Sequence, residues 1–261
     1  MKYYKILVEK EKHNGLQFRG GRVDDPNEFQ ETGSCVPGGI YFAPATSILA
    51  FVDIGPWIRE VTVPDDAQMV RDPGTGIEKY RASSVVLGPR RRWASAEMLQ
   101  KLVDEGADIH IENGIVLCWA ALNGSVSAVK YLIEQGLDIH TKEDSALCWA
   151  AEEGHLNVVK YLVEQGADIH AQGDHALCWG AASYGHLDVV KYLVEHGADI
   201  HAQEDDALYF AVMYNHLDVV IYLVEHGANT YIQNYSAIQC AIDNKSREVL
   251  YYLKSIEGEQ K

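Results

Sequence analysis

Between Ala146 and Ala171 apolar and polar positions alternate with the period of two short helices. Val159, Leu162 and Val163 stand at i, i+3 and i+4 and share one stripe, while Lys160 and Glu164 fall on a wetter side. Leu147, Ala150 and Ala151 predict a first helix in the same way, with Gly154 at the turn between helices and Gly166 at the C-terminal stop. The pattern returns along the chain: Cys118, Cys148, Cys178 and Tyr209 are 30, 30 and 31 residues apart, and Gly106, Gly136, Gly166, Gly197 and Gly227 are 30, 30, 31 and 30 apart. The extra residue falls at Ala182. Such a period, with two helices per unit, predicts a solenoid in which each hairpin buries its stripe against its neighbours, at roughly 1.5–3 kcal/mol per large aliphatic side chain.

Residues 1–92 follow a different period. Tyr3 to Glu9, Gly15 to Gly21, Trp57 to Val63, Gln68 to Asp72 and Ser83 to Leu87 predict strands, the run Ile40 to Ala43 follows a glycine pair, and Ser47 to Val52 predicts a short helix. The fold expected is α+β: a small, mostly β domain over 1–92, a boundary at Gly88 to Arg92, and an all-α array over 93–261. The array comprises a half-unit, 93–112, and units starting near 115, 145, 175, 206 and 236. In the last unit Arg247 replaces Leu217 and Lys254 replaces Val224, the polar outer face of a C-terminal cap. The half-unit lacks a first helix, so the stripe of Leu99, Leu102 and Val103 needs another cover; the expectation is that the N-terminal domain docks there, with Trp93 plugging the junction.

GHLNVVKYLVEQGADIHA at 154–171, GHLDVVKYLVEHGADIHA at 185–202 and NHLDVVIYLVEHGANT at 215–230 resemble the ankyrin repeat. The resemblance covers about 93–261. Units this short, joined to such an N-terminal domain, look like the ankyrin proteins carried by giant DNA viruses. Two features depart from the family pattern: Ala-Leu-Cys-Trp opens the first helix in place of Thr-Pro-Leu-His, and each unit is about three residues shorter between His170 and Ala176, which implies a shorter finger with a less regular hairpin. The family implies that His155, His186 and His216 bond backbone in the adjoining turn. It also implies a non-enzymatic protein-binding scaffold or adaptor. Residues that vary between units while the frame does not are expected to form the partner-binding concave face: Asn123, Glu152, Glu153, Ser183, Tyr184, Met213 and Tyr214, with finger positions Lys142, Glu143, Asp144, Asp174, His175, Glu204, Asp205 and Asp206.

In the first domain Phe18-Arg19-Gly20, Gly39 to Ala43 and Ser47 are similar to the nicotinamide-pocket elements of ADP-ribosyltransferases. That resemblance implies a degenerate NAD pocket at Arg19, Tyr41 and Ser47, and an alternative function as a mono-ADP-ribosyltransferase whose array selects substrates. The family's catalytic glutamate has its nearest candidates in Glu60 and Glu78, neither in a recognisable motif. The reading adopted has no catalytic residue, no cofactor and no metal.

Charge sharpens the partner. Residues 1–92 carry 13 Lys+Arg and 12 Asp+Glu, net +1, leaving 9 and 26 for 93–261, net −17, so the array accounts for the whole net charge of −16. Such a field repels phosphate backbones, which argues against nucleic acid and for a protein, a host protein if the chain is viral, with a basic or mixed surface; the acid equally keeps the array soluble. Trp119, Trp149, Trp179 and Phe210 form an aromatic column, read either as seals between units or as a hydrophobic binding strip. Five cysteines, three at one repeat position, read as core side chains in a reducing compartment. No apolar run reaches the ~18–20 residues of a membrane span and no signal sequence is recognisable, so a monomeric protein of the cytoplasm is expected.

Overall fold

The computed structural model describes residues 1–13, 16–30, 38–74, 76–232 and 235–259. It divides into two compact units, 1–119 with 130–137 and 120–129 with 138–261.

The first unit is built on antiparallel strands. These are β1 (Tyr3–Leu7), β2 (Lys12–His13), β3 (Leu16–Gln17), β4 (Gly21–Asp24), β5 (Ile40–Pro44), β6 (Trp57–Thr62), β7 (Met69–Arg71), β8 (Tyr80–Ala82), β9 (Ser84–Leu87) and β10 (Arg91–Arg92). The main sheet runs β4-β9-β6-β1-β5-β8-β7, with β10 beside β6 and the pair β2–β3 separate. Between β5 and β6 the chain makes one helical turn, α1 (Ala45–Ile48), and a 3-10 segment over Leu49–Ile54. Leu7, Phe18, Ile40, Phe42, Val61, Val85 and Leu87 fill the core, and Tyr3 sets its ring edge-on to Phe42 and Tyr80. The expected Gly15 start of a strand lies outside the described residues; β8 and β10 were not expected. Arg59 and Glu11 form a buried ion pair, Nε to Oε1 at 2.9 Å, and the same guanidinium donates to the Gly88 carbonyl.

Helix α2 (Ala96–Asp104) belongs to this same unit, capped by the Ser95 hydroxyl, which accepts from the Met98 amide. Leu99 and Leu102 are fully buried and Val103 half-buried. Trp93 is fully buried, its indole N–H donating to the Gly55 carbonyl at 3.1 Å. Tyr4 donates its hydroxyl to Glu105 at 2.6 Å, Lys2 pairs with the same carboxylate, and Lys101 bonds Glu60.

Helices α3 (Ile111–Leu122) and α4 (Val126–Glu134) each contribute to both units. The second unit continues with α5 (Thr141–Glu152), α6 (Leu156–Glu164), α7 (Ala171–His175), α8 (Leu187–Glu195), α9 (Ala202–Met213), α10 (Leu217–Glu225), α11 (Ala237–Asp243) and α12 (Arg247–Glu259). The second helices fully bury two of the three predicted stripe positions, Val159 and Leu162 with their copies Val190, Leu193, Val220 and Leu223, and Val158, Val189 and Val219 beside them, while Val163, Val194 and Val224 are half-buried. Arg247 and Lys254 are exposed on the last helix.

The segment expected to be a short finger takes an unusual form. Three successive residues turn left-handed in each unit: Glu112 to Gly114, Lys142 to Asp144, Gln172 to Asp174 and Gln203 to Asp205, with φ between 48° and 76°. Only the last unit carries a strand pair there, β11 (Tyr231–Ile232) with β12 (Tyr235–Ser236), among the described residues. Left-handed backbone costs an L-residue roughly 1–2 kcal/mol, so something must hold each turn.

Candidate protein-binding face

Aspartate holds three of the four turns. Asp144, Asp174 and Asp205 are buried, 5–6% exposed, and each Oδ1 accepts the backbone N–H of the following unit, from Asp168, Asp199 and Asn229 at 2.9–3.0 Å. Each also receives the Nδ1 of the histidine four residues earlier, His140, His170 or His201, at 3.0–3.2 Å. These three carboxylates therefore belong to the frame. The expectation that they face a partner is corrected: their oxygens are bonded within the repeat stack, to the next unit's backbone and to the preceding histidine. The sequence did hold a signal, because aspartate recurs at this position in three units, as frame residues do.

The other histidine ladder behaves as the family implies. His155, His186 and His216 place Nε2 at 2.8–2.9 Å from the carbonyl oxygens of Leu122, Glu152 and Ser183. Cys118, Cys148, Cys178 and Cys240 are buried, and burial pushes the Cys178 thiol up to about 12, which suits packing and not reactivity.

With the frame set aside, the remaining variable positions gather at one irregularity. The extra residue at Ala182 is absorbed by a π-helical stretch, Ala176–Ala182, that continues α7. A π-turn widens the helix and redirects its side chains. Gly180 sits where this backbone approaches α5, and a Cβ there would lie 3.0 Å from Ala151 Cβ. On the outer side Trp179 is 38% exposed, whereas Trp119 and Trp149 are half-buried. Trp179 meets Phe210 edge-on at 4.9 Å between ring centroids. Trp179, Ser183, Tyr184, Tyr214 and His216 line a recess of about 350 Å3. Tyr184 and Tyr214 are 47% and 48% exposed, and the Tyr184 hydroxyl donates to Glu152 at 2.8 Å.

Of the other predicted face residues, Lys142, Glu143, Glu153 and Glu204 are exposed, while Asn123, Glu152, His175, Asp206 and Met213 are half-buried. Ser183 is buried, its carbonyl bonded to His216, and reaches the recess from the wall. Trp179 belongs to the aromatic column for which the reading as seals between units is preferred, and its exposure departs from that reading.

In the first unit Arg19, Tyr41 and Ser47 are not gathered around one space. Tyr41 lines a cavity of about 500 Å3, Arg19 is exposed outside it, and the Ser47 hydroxyl donates to the Glu78 carbonyl at 2.6 Å. The Glu78 carboxylate accepts from Tyr80 and that of Glu60 is bonded to Lys101, so neither glutamate lines the cavity.

The model of the family described as ankyrin repeats matches in three overlapping copies, 92–173, 117–204 and 177–261. This chain is an ankyrin-repeat protein. Two putative ankyrin repeat proteins of Acanthamoeba polyphaga mimivirus are similar to it. One is 39% identical over 107 residues, 39% of this chain and 35% of its own length; the other is 33% identical over 133 residues, 49% of this chain and 64% of its own length. An uncharacterized protein of the same virus is 28% identical over 134 residues, 49% of this chain and 94% of its own length. The chain thus spans about one third and two thirds of the first two relatives. Ankyrin repeats generally mediate protein–protein interaction. Among the described residues no helix is long and apolar enough to cross a membrane.

Proposed function

We propose that this ankyrin-repeat protein is a non-enzymatic scaffold or adaptor whose partner docks at the recess of Trp179, Tyr184 and Tyr214. The carrying observation is the exposure of three large aromatic side chains side by side where the π-helical stretch interrupts the regular unit. Aromatic residues in a recess are the usual anchors of protein interfaces. Glu152 and Glu153 add acid beside Tyr184, and the repeats as a whole are acidic, so the partner is a protein with a basic or mixed surface, and a host protein given the viral relatives. The protein acts as a monomer in the cytoplasm of the host cell in this reading. A transferase reading has less support, since of its three pocket residues only Tyr41 lines the cavity.

The test is affinity capture from host-cell extract with the full chain, the double variant Trp179→Ala/Tyr214→Ala, and the double variant Glu134→Gln/Gln135→Ala as a surface control. A partner held by the wild type and control, and weakened by at least about 30-fold in the aromatic variant, supports the proposal, since hot-spot truncation costs about 2 kcal/mol or more. Equal retention by all three overturns it.

A further inference from the structure

Strand β1 carries a lysine where its inward face calls for an apolar residue. Lys5 lies between Tyr3 and Leu7 on that face and is 8% exposed. Its ammonium donates to the Tyr41 carbonyl at 2.8 Å and stands 4.7 Å from the centre of the Phe18 ring. An ammonium has three N–H donors, and among the described residues no carboxylate is paired with this one. Burial lowers its pKa to about 8. A charge taken from water without a counter-ion is costly, and proteins commonly pair such charges.

The space beside Lys5 is the cavity of about 500 Å3, within the range of small-molecule sites. Its walls include Leu7, Leu16, Phe18, Ile40, Phe42 and Ile48. Lys12 and Lys79 also line it, and Asp25 is the one carboxylate among the described lining residues. Both Asp25 oxygens are engaged, one by the backbone and side-chain nitrogens of Asn27 and the other by the Gly39 amide. The cavity is therefore apolar in its walls, positive in its charge, and provided with a buried donor group that no anion among the described residues claims.

We propose that this cavity is a binding site for a small apolar monocarboxylate, whose head accepts hydrogen bonds from Lys5 and whose hydrocarbon body packs on Phe18, Phe42 and Leu16. A single ammonium with unclaimed N–H bonds suits a monoanion, while a phosphate would bring more charge than one buried donor group can satisfy. This binding is separate from the protein-binding reading and stands without it.

Calorimetric titration of the full chain with octanoate and 2-naphthoate, each against its neutral alcohol, 1-octanol and 2-naphthalenemethanol, reads the proposal and separates aliphatic from aromatic ligands. At pH 7 at least one acid binds tenfold or more tightly than its alcohol, and Lys5→Met, which keeps length and removes charge, abolishes that preference. A second readout needs no variant: on saturation with the preferred acid, the NMR titration of the Lys5 side chain moves to higher pH. Tyr4, Tyr41, Lys12, Asp25 and Lys79 are the other titratable groups on the described cavity wall, and their own resonances separate their titrations from that of Lys5. Absence of binding by both acids, a preference that survives in Lys5→Met, or a Lys5 titration unmoved by the acid overturns the proposal.

Discussion

At the scale of single residues, one atom decides which side chains can follow each other from unit to unit. A Cβ at Gly124, Gly154 or Gly185 would come within 2.4–2.7 Å of the ring of His155, His186 or His216, and all three glycines have φ of 69–79°. Asn215 holds the next equivalent position at φ 63°, and there the following unit has Ser246 in place of histidine, its smaller hydroxyl reaching the Met213 carbonyl at 3.2 Å. Glycine and the imidazole are thus one unit of design, and losing the first goes with losing the second. One histidine of the other ladder, His140, carries a pH dependence. Hydrogen bonding to Asp144, aided by its charge, holds the His140 imidazolium above the usual histidine range. The folded chain then keeps that proton to higher pH than the unfolded chain does. Its stabilising effect is complete below the ordinary value near 6.5 and is lost as pH rises through the raised one. The expected outcome is that Asp144→Asn lowers the pKa of His140 in an NMR titration; an unchanged titration shows that the carboxylate is not its cause.

At the scale of elements, what could be read from the sequence was whatever repeats or alternates. The two helices of each unit declare themselves through Val159, Leu162 and Val163 and their copies, and β1, β6, β7 and β9 through short apolar runs. The strand β8 did not, because it follows Glu78 and Lys79 and carries Arg81, a guanidinium that is nevertheless fully buried. Polarity also misled at Asp144, Asp174 and Asp205, where the left-handed turn swings a charged side chain inward. The π-helical stretch lies between these cases: the 31-residue spacing announced an extra residue at Ala182, but spacing alone does not say whether a loop or a helix absorbs it. Deleting Ala182 restores the 30-residue interval and is expected to return the stretch to α-helix, leaving Trp179 half-buried like Trp149. Partner affinity should then fall as far as it does in Trp179→Ala, with thermal stability held or raised. A deletion variant that melts like the wild type and still binds fully would separate the recess from function.

At the scale of the whole molecule, the question is what a repeat helix without its partner does with its apolar stripe. Helix α2 answers it inside the first unit: Leu99, Leu102 and Trp93 are fully buried there, and Tyr4, Lys2 and Glu60 bond the end and flank of the same helix. Each large apolar side chain so covered contributes roughly 1.5–3 kcal/mol, a substantial fraction of the ~5–15 kcal/mol by which domains are stable. The N-terminal sheet is thereby expected to act as the first cap of the repeats, supplying the surface that a preceding first helix would otherwise provide. Two measurements bear on this. Trp93→Ala removes the largest plug and the indole bond to Gly55, and is expected to cost about 3–5 kcal/mol, seen as a lower midpoint in chemical denaturation. Removal of residues 1–92 uncovers Leu99, Leu102 and Trp93 together, so the 93–261 fragment should melt below the full chain and self-associate in sedimentation. A fragment that stays monomeric and melts with the intact protein would mean that the repeats close their own end and that the sheet rides on them as an independent domain.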